Sequence, residues 1–139
     1  MLLTDYDVKI LLLLDLAIDG NVEPLEWLLN NGFPELAAFA NAIRNDKIAY
    51  SWLMNNGYPD LAALTDAIED NFEAYKWLKK HNRNFYIILS DAVQPKVYAM
   101  LYLKEHKLDV FARICITIKR VKDKQADDAW DAHKATPIK

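Results

Sequence analysis

Apolar positions recur along this chain at two nested spacings. Within short stretches they fall three and four residues apart, the spacing that puts side chains on one face of a helix. Over longer stretches the whole pattern returns every 25 residues. Residues 18–42, "IDGNVEPLEWLLNNGFPELAAFANA", align without insertion on 43–67, "IRNDKIAYSWLMNNGYPDLAALTDA", on 68–92 and on 93–117. Trp27, Trp52, Trp77 and Tyr102 share one column, and Leu28, Leu53, Leu78 and Leu103 the next. Phe39, Leu64, Leu89 and Ile114 share a third, and Ile18, Ile43, Ile68, Val93 and Ile118 a fourth. A fixed period of this length is the signature of a repeat array.

Each unit reads as two short helices. In the second, Asn45 or Asp46 caps a helix that runs to about Asn56, because a short polar side chain there accepts from the free backbone N–H groups of the first turn. Gly57 ends that helix in the left-handed conformation. Pro59 opens the next, which runs to about Ile68, where proline's missing donor costs nothing. Gly32-Phe33-Pro34 repeats this punctuation, whereas "HNRN" (81–84) replaces it in the third unit and predicts a looser turn. On the second helix of a unit, Leu36, Phe39, Ala40 and Ile43 fall within a wedge of about 100° and are expected to be core, with alanines on both flanks. On the first helix, Ala49, Trp52 and Leu53 form the expected buried wedge, the indole filling the gap between layers.

A 25-residue helix pair cannot bury its own apolar face, so units of this kind stack into a continuous core with polar caps at the ends. The expected organisation is a single domain: an N-terminal capping helix in residues 1–17, four units in 18–117, and a C-terminal cap and tail in 118–139, with a separate polar helix near 121–134. Within this pattern "LAALTDAIEDNFEAYKWLKKHN" (61–82) resembles the helix pair of an ankyrin repeat. Ankyrin units run to about 33 residues and open on Thr-Pro-Leu-His, which no unit here carries. The resemblance therefore implies an all-α, right-handed α-solenoid of short helix-turn-helix repeats, ankyrin-like without β-hairpins. HEAT-type helical stacks are the competing label. Both families mainly bind other proteins, so the resemblance implies a binding module and transfers no catalytic residue.

Composition adds class limits. Across 139 residues, 53% are hydrophobic and three are glycine, which argues for long regular elements and against disorder. The apolar run Ile10–Leu14 is far shorter than the roughly 20 residues a membrane span requires. The N-terminus lacks the basic start of a secretory signal, and the single cysteine, Cys115, has no partner for an internal disulfide. These features lead to the expectation of a soluble, cytoplasmic protein. Net charge is −3, but residues 1–70 carry −9 and residues 71–139 carry +6. That division suggests an anionic partner for the basic half, head-to-tail association of an otherwise monomeric chain, or solubility alone.

No phosphate loop, Cys-x-x-Cys or His-Glu-x-x-His motif is present, so no catalytic residue, cofactor or metal ligand is assigned. His81 and His106 share a column. Stacked helices about 8–10 Å apart would hold their imidazoles too far apart for one metal without a third ligand. The favoured reading places each against the negative end of its helix. Asn41, Asp66 and Asp91 form a further column on the side of the inner helix opposite the core, beside Ala38, Ala63, Ile88 and Arg113. The functional reading makes Asn41, Asp66, Asp91, Ile88, Arg113 and Ile116 an exposed recognition strip on a concave face, with Ile88 and Ile116 as apolar anchors. The alternative reading gives those polar residues to solvation or to bonds with neighbouring turns. The expected function is non-enzymatic protein binding, as a scaffold, an adaptor or a stoichiometric inhibitor of the immunity type. Nucleic-acid association through Lys76, Lys79, Lys80, Lys104, Lys107, Lys119, Arg120, Lys122 and Lys124 is the rival.

Overall fold

The computed structural model describes residues 1–135 and has no strand among them. A 3-10 turn at Leu3–Asp5 precedes α1 (Val8–Ile18), α2 (Val22–Asn30), α3 (Pro34–Ile43), α4 (Lys47–Asn55) and α5 (Pro59–Ile68). Then follow α6 (Phe72–Lys80), α7 (Asn84–Val93), α8 (Val97–Glu105) and α9 (Asp109–Ala135). The starts of α2, α4, α6 and α8 step by 25 residues, and so do those of α3, α5, α7 and α9. The last four residues of the expected C-terminal tail lie outside the described residues. No helix among the described residues is long and apolar enough to cross a membrane.

Local chemistry sets the helix ends. The Asp46 carboxylate accepts from the backbone N–H of Ile48 at 2.9 Å and of Ala49 at 3.1 Å, and Asn71 accepts from that of Ala74 at 3.0 Å. At the C-termini of α2, α4, α6 and α8 the chain reverses through Gly32, Gly57, Asn82 and Lys107, all at positive φ. Each turn is closed by the same backbone bond: Phe33 to Leu28 and Tyr58 to Leu53 at 2.9 Å, Arg83 to Leu78 and Leu108 to Leu103 at 2.8 Å. The looser third turn expected from "HNRN" is not found. The backbone keeps the left-handed geometry there and places an asparagine and a lysine in it.

The helices α1, α3, α5, α7 and α9 pack each on the next, and α9 returns to pack on α1. Together they close a ring, with α2, α4, α6 and α8 outside it, each lying against the two inner helices that flank it in sequence. Three sequence columns make three layers of the ring's core. Leu11, Leu36, Leu61, Tyr86 and Phe111 form one; Leu14, Phe39, Leu64, Leu89 and Ile114 the middle one; Ile18, Ile43, Ile68, Val93 and Ile118 the third. Every one of these side chains is buried. Around the centre the packing leaves a void of about 10 Å³ lined by apolar side chains, which offer an ordered water no polar partner.

Both ends of the ring are covered. At one end Leu3 is buried and its backbone N–H donates to the Tyr86 hydroxyl at 3.0 Å. At the other, α9 does not stop after Ile118, and the expected polar capping helix is instead the second part of this one 27-residue helix. Val121 is buried on this extension, and the Gln125 side chain donates to the Ile43 carbonyl at 3.4 Å. Lys122 donates to Asn45 at 3.2 Å and pairs with Glu69. A polar sequence without glycine or proline between Thr117 and Lys134 gives the helix no reason to break.

One burial expectation needs correction. Leu28, Leu53, Leu78 and Leu103 are fully buried, but the adjacent aromatic column is not: Trp27 is 42% exposed and Trp52 and Trp77 are half-buried. These rings lie against the following turn, Trp27 on Phe33, Trp52 on Tyr58 and Trp77 on His81. Successive positions on a helix point about 100° apart, so one of the pair takes the core and its neighbour the rim. Leu53→Ala is expected to cost about 2–5 kcal/mol and Trp52→Ala clearly less, read from urea melts of the two variants. Lys107→Gly, which removes a side chain from left-handed backbone, should raise stability by about 1 kcal/mol in the same measurement.

Candidate functional site

The ring decides where the Asn41/Asp66/Asp91 column points. The core occupies the inside, so this column faces outward, onto the floors of the grooves between successive outer helices. Among the described residues it lines no open concave face. Asp91, expected to be exposed, is 6% exposed. Tyr98 and Tyr75 donate to it, the latter at 3.0 Å, and Lys96 pairs with it at 3.1 Å. Burial alone would raise the Asp91 carboxyl, but the bonds from Tyr98, Lys96 and Tyr75 outweigh it and hold the group below its ordinary value of 3.8. One unit earlier the Tyr50 hydroxyl donates to Asp66 at 2.5 Å. Burial, and then this bond, push the Tyr50 phenol up to about 12. Tyr50 and Tyr75 share a column, as do Asp66 and Asp91, so a tyrosine-to-carboxylate bond between the two helices of a unit recurs at the 25-residue period.

The other nominated residues divide between two places. Asn41 and Ile88 are half-buried on groove floors, while Arg113 and Ile116 are exposed on α9 beside α1. The six are therefore not one strip. Their column is continuous along the sequence, but outer helices separate its members.

Two of the grooves are open. The one between α2 and α4, over α3, has a volume of about 290 Å³; Leu25, Leu29, Ile48 and Trp52 wall it and Ala37 and Ala38 floor it. The one between α4 and α6, over α5, has about 240 Å³ and is made of the same columns one unit on, with Met54, Ala63, Glu73 and Trp77. Between α6 and α8 the floor alanine is replaced by Ile88, and Tyr98 reaches down to Asp91. The α2/α4 groove is the most apolar, with Leu29 57% and Ile48 84% exposed at its rim. Glu26 and Asp46 line it as well. Ile48 occupies the column of Glu23 and Glu73. An isoleucine where two of the three sister units carry glutamate, the last carrying Tyr98, is the sequence signal for this groove.

Other chemistry in the fold is accounted for by packing. His81 and His106 stack on Trp77 and Tyr102 with ring centres 3.8 and 3.9 Å apart. Their Nδ1 atoms donate to the Trp77 and Tyr102 carbonyls at 2.8 and 2.9 Å. Among the described residues no group of three or more His, Cys, Asp or Glu side chains is placed to hold a metal ion. Cys115 is buried against the Leu89 carbonyl, and burial pushes its thiol up to about 12, which leaves it protonated and unreactive at neutral pH. A larger opening of about 650 Å³ under the α9 extension is lined by Asp46, Lys47, Tyr50, Asp66, Glu69 and Lys122. Asp66 and Glu69 already hold partners there.

Compared with family models, with curated proteins and with solved structures, the chain finds no match.

The recognition-strip reading implies that replacing Asp66 and Asp91 together by alanine would leave stability nearly intact. With three donors losing their acceptor, Asp91→Ala alone is expected to cost about 1–3 kcal/mol at neutral pH. Because the folded carboxyl sits below 3.8, that contribution is complete above this value and lost as pH falls through the lowered one. The gap between wild type and Asp91→Ala in urea melts should therefore narrow below pH 3.8.

Proposed function

We propose that this chain is a non-enzymatic protein-binding module, a short-unit, ankyrin-like α-solenoid curved tightly enough to close on itself. Its interface in this reading is the outward groove between α2 and α4. The observation that carries the proposal is the exposed Ile48 and Leu29 rim over an alanine floor: a solvent-facing apolar cleft costs free energy until something covers it. The occupant best suited to it is a partner segment that inserts one or two aliphatic side chains and flanks them with Lys or Arg. Glu26 and Asp46 lie in the cleft, Glu23 is exposed on the same helix as Glu26, and the first 70 residues carry −9. A scaffold, an adaptor and a stoichiometric inhibitor all use such a surface.

The nucleic-acid reading rests on Lys79, Lys80, Lys104 and Lys107, exposed where α6 and α8 end. Against it, Arg113, Arg120 and Lys122 of the basic half are engaged with Asp15, Asp19 and Glu69 of the acidic half. A mobility shift that weakens steeply between low and physiological salt would favour nucleic acid.

For the protein-binding reading, wild type and Ile48→Asp are immobilised and exposed to lysate of the native organism. A protein held by wild type alone is then purified and titrated against both chains by calorimetry. Affinity should drop about tenfold or more in the variant while its circular dichroism stays unchanged. Equal affinities, or no protein that distinguishes the two chains, would overturn the assignment.

A further inference from the structure

The ring holds α1, α3, α5, α7 and α9 inside and α2, α4, α6 and α8 outside. Each outer helix covers the seam between the two inner helices beside it. The α9–α1 seam is different: among the described residues no helix covers it, because α9 runs straight on where a further turn would have begun. The surface registers this difference. Leu12 is 37% exposed, while in its column Ala37 and Ala62 are 3% and 0% exposed and Ile87 and Ala112 are half-buried. Leu16 and Ile116 are 39% and 56% exposed.

The walls of the seam tell the same story. Trp52 and Trp77 each line the groove toward the preceding outer helix. Trp27, in the same column, has no preceding outer helix and is 42% exposed. Leu101 of α8 occupies the column of Glu26, which lines the groove toward the following outer helix, and is 49% exposed. A concavity of about 370 Å³ lies along the seam, with Leu16, Ile116, Arg113 and Arg120 in its lining.

We infer that this seam is an unfilled outer-helix seat and that it takes one short amphipathic α-helix from a partner protein. The four filled seats show what fits. Each holds a nine-residue helix, and in α4, α6 and α8 an alanine and a leucine four residues apart are buried against the inner pair: Ala49 with Leu53, Ala74 with Leu78, Ala99 with Leu103. The residue after that alanine is matched to the inner helix that follows. Tyr50 and Tyr75 stand opposite Asp66 and Asp91, and the equivalent columns carry Met100 and Ile116 in the last unit. In the inner-helix column α1 carries Leu16. An incoming helix therefore meets an aliphatic side chain there, which an aliphatic side chain of its own matches best.

Charge orients the same helix. Lys104 stands exposed on one side of the seat and Glu23 on the other, while Arg113 and Arg120 are already paired with Asp15 and Asp19 along the seam. The helix that fits carries an acidic residue on its α8 flank and a basic residue on its α2 flank. This surface is separate from the α2/α4 groove and does not depend on it.

The probe is the chain's own best template, a peptide of residues 96–106 held helical by a hydrocarbon staple on its solvent face, titrated into the full chain with labelled Leu and Ile methyl groups. Methyl shifts should centre on Leu12, Leu16, Leu101 and Ile116. Leu16→Asp should weaken binding about tenfold or more, and Ile48→Asp should leave it unchanged. Shifts centred on Leu29 and Ile48, shifts showing the peptide exchanging into the place of α8, or none in millimolar excess would overturn the inference. If Leu16→Asp fails to fold, the shift map on the wild-type chain decides alone.

Discussion

Closure of the inner helices on one another is the constraint on which the rest of the molecule depends. A helix pair of 25 residues exposes more apolar surface than it can hide. In this chain the first and last inner helices hide theirs against each other, which removes the two open ends a linear stack would have to cap. The saving is substantial, since each fully buried Leu, Ile or Phe in the three core layers contributes about 1.5–3 kcal/mol. In the middle layer Leu14, Phe39, Leu64, Leu89 and Ile114 come from one sequence column and meet around one axis. Removing any one of them would weaken the whole ring.

Closure also gives the uneven charge distribution a physical role. The acidic half begins the ring and the basic half completes it, so the two meet along the α1–α9 seam. Asp15, 4% exposed, accepts from Thr117 at 2.5 Å and pairs with Arg113 at 3.1 Å, and Arg120 pairs with Asp19 at 2.9 Å. Arg113 and Arg120 are largely exposed, so water screens these pairs and their net energy is small. Their value lies in register. A buried aspartate that must find Thr117 and Arg113 allows α9 few positions along α1, and like charges on both edges would have opposed closure altogether.

The same geometry turns the inner helices' polar column outward. Between α6 and α8 that column is consumed by structure, with Asp91 under Tyr98, Tyr75 and Lys96. Between α2 and α4 the column is Asn41, the floor is alanine and the rim is aliphatic, so the groove stays open. One repeated framework thus offers a closed site at one end and an open apolar site at the other through a few substitutions at equivalent positions, which is how a repeat array specialises a surface without altering its core.

Much of this was legible in the sequence. Periodicity located the helix pairs, because helix formation and capping are local: Asp46, Gly57 and Pro59 act within a few residues of where they stand. The core columns were legible for the same reason, as burial at 3.6-residue spacing is written into side-chain polarity. Other features needed coordinates. Whether Trp52 or Leu53 reaches the core turns on one step of about 100° around a helix, which composition does not resolve when both are apolar. Whether a stack stays open or closes depends on a small rotation per unit summed over α1 to α9, and no single residue encodes that sum. Closure turned Asp91's column outward, under Tyr98, Tyr75 and Lys96, set Arg113 and Ile116 apart from Asn41, and left one seam without an outer helix among the described residues.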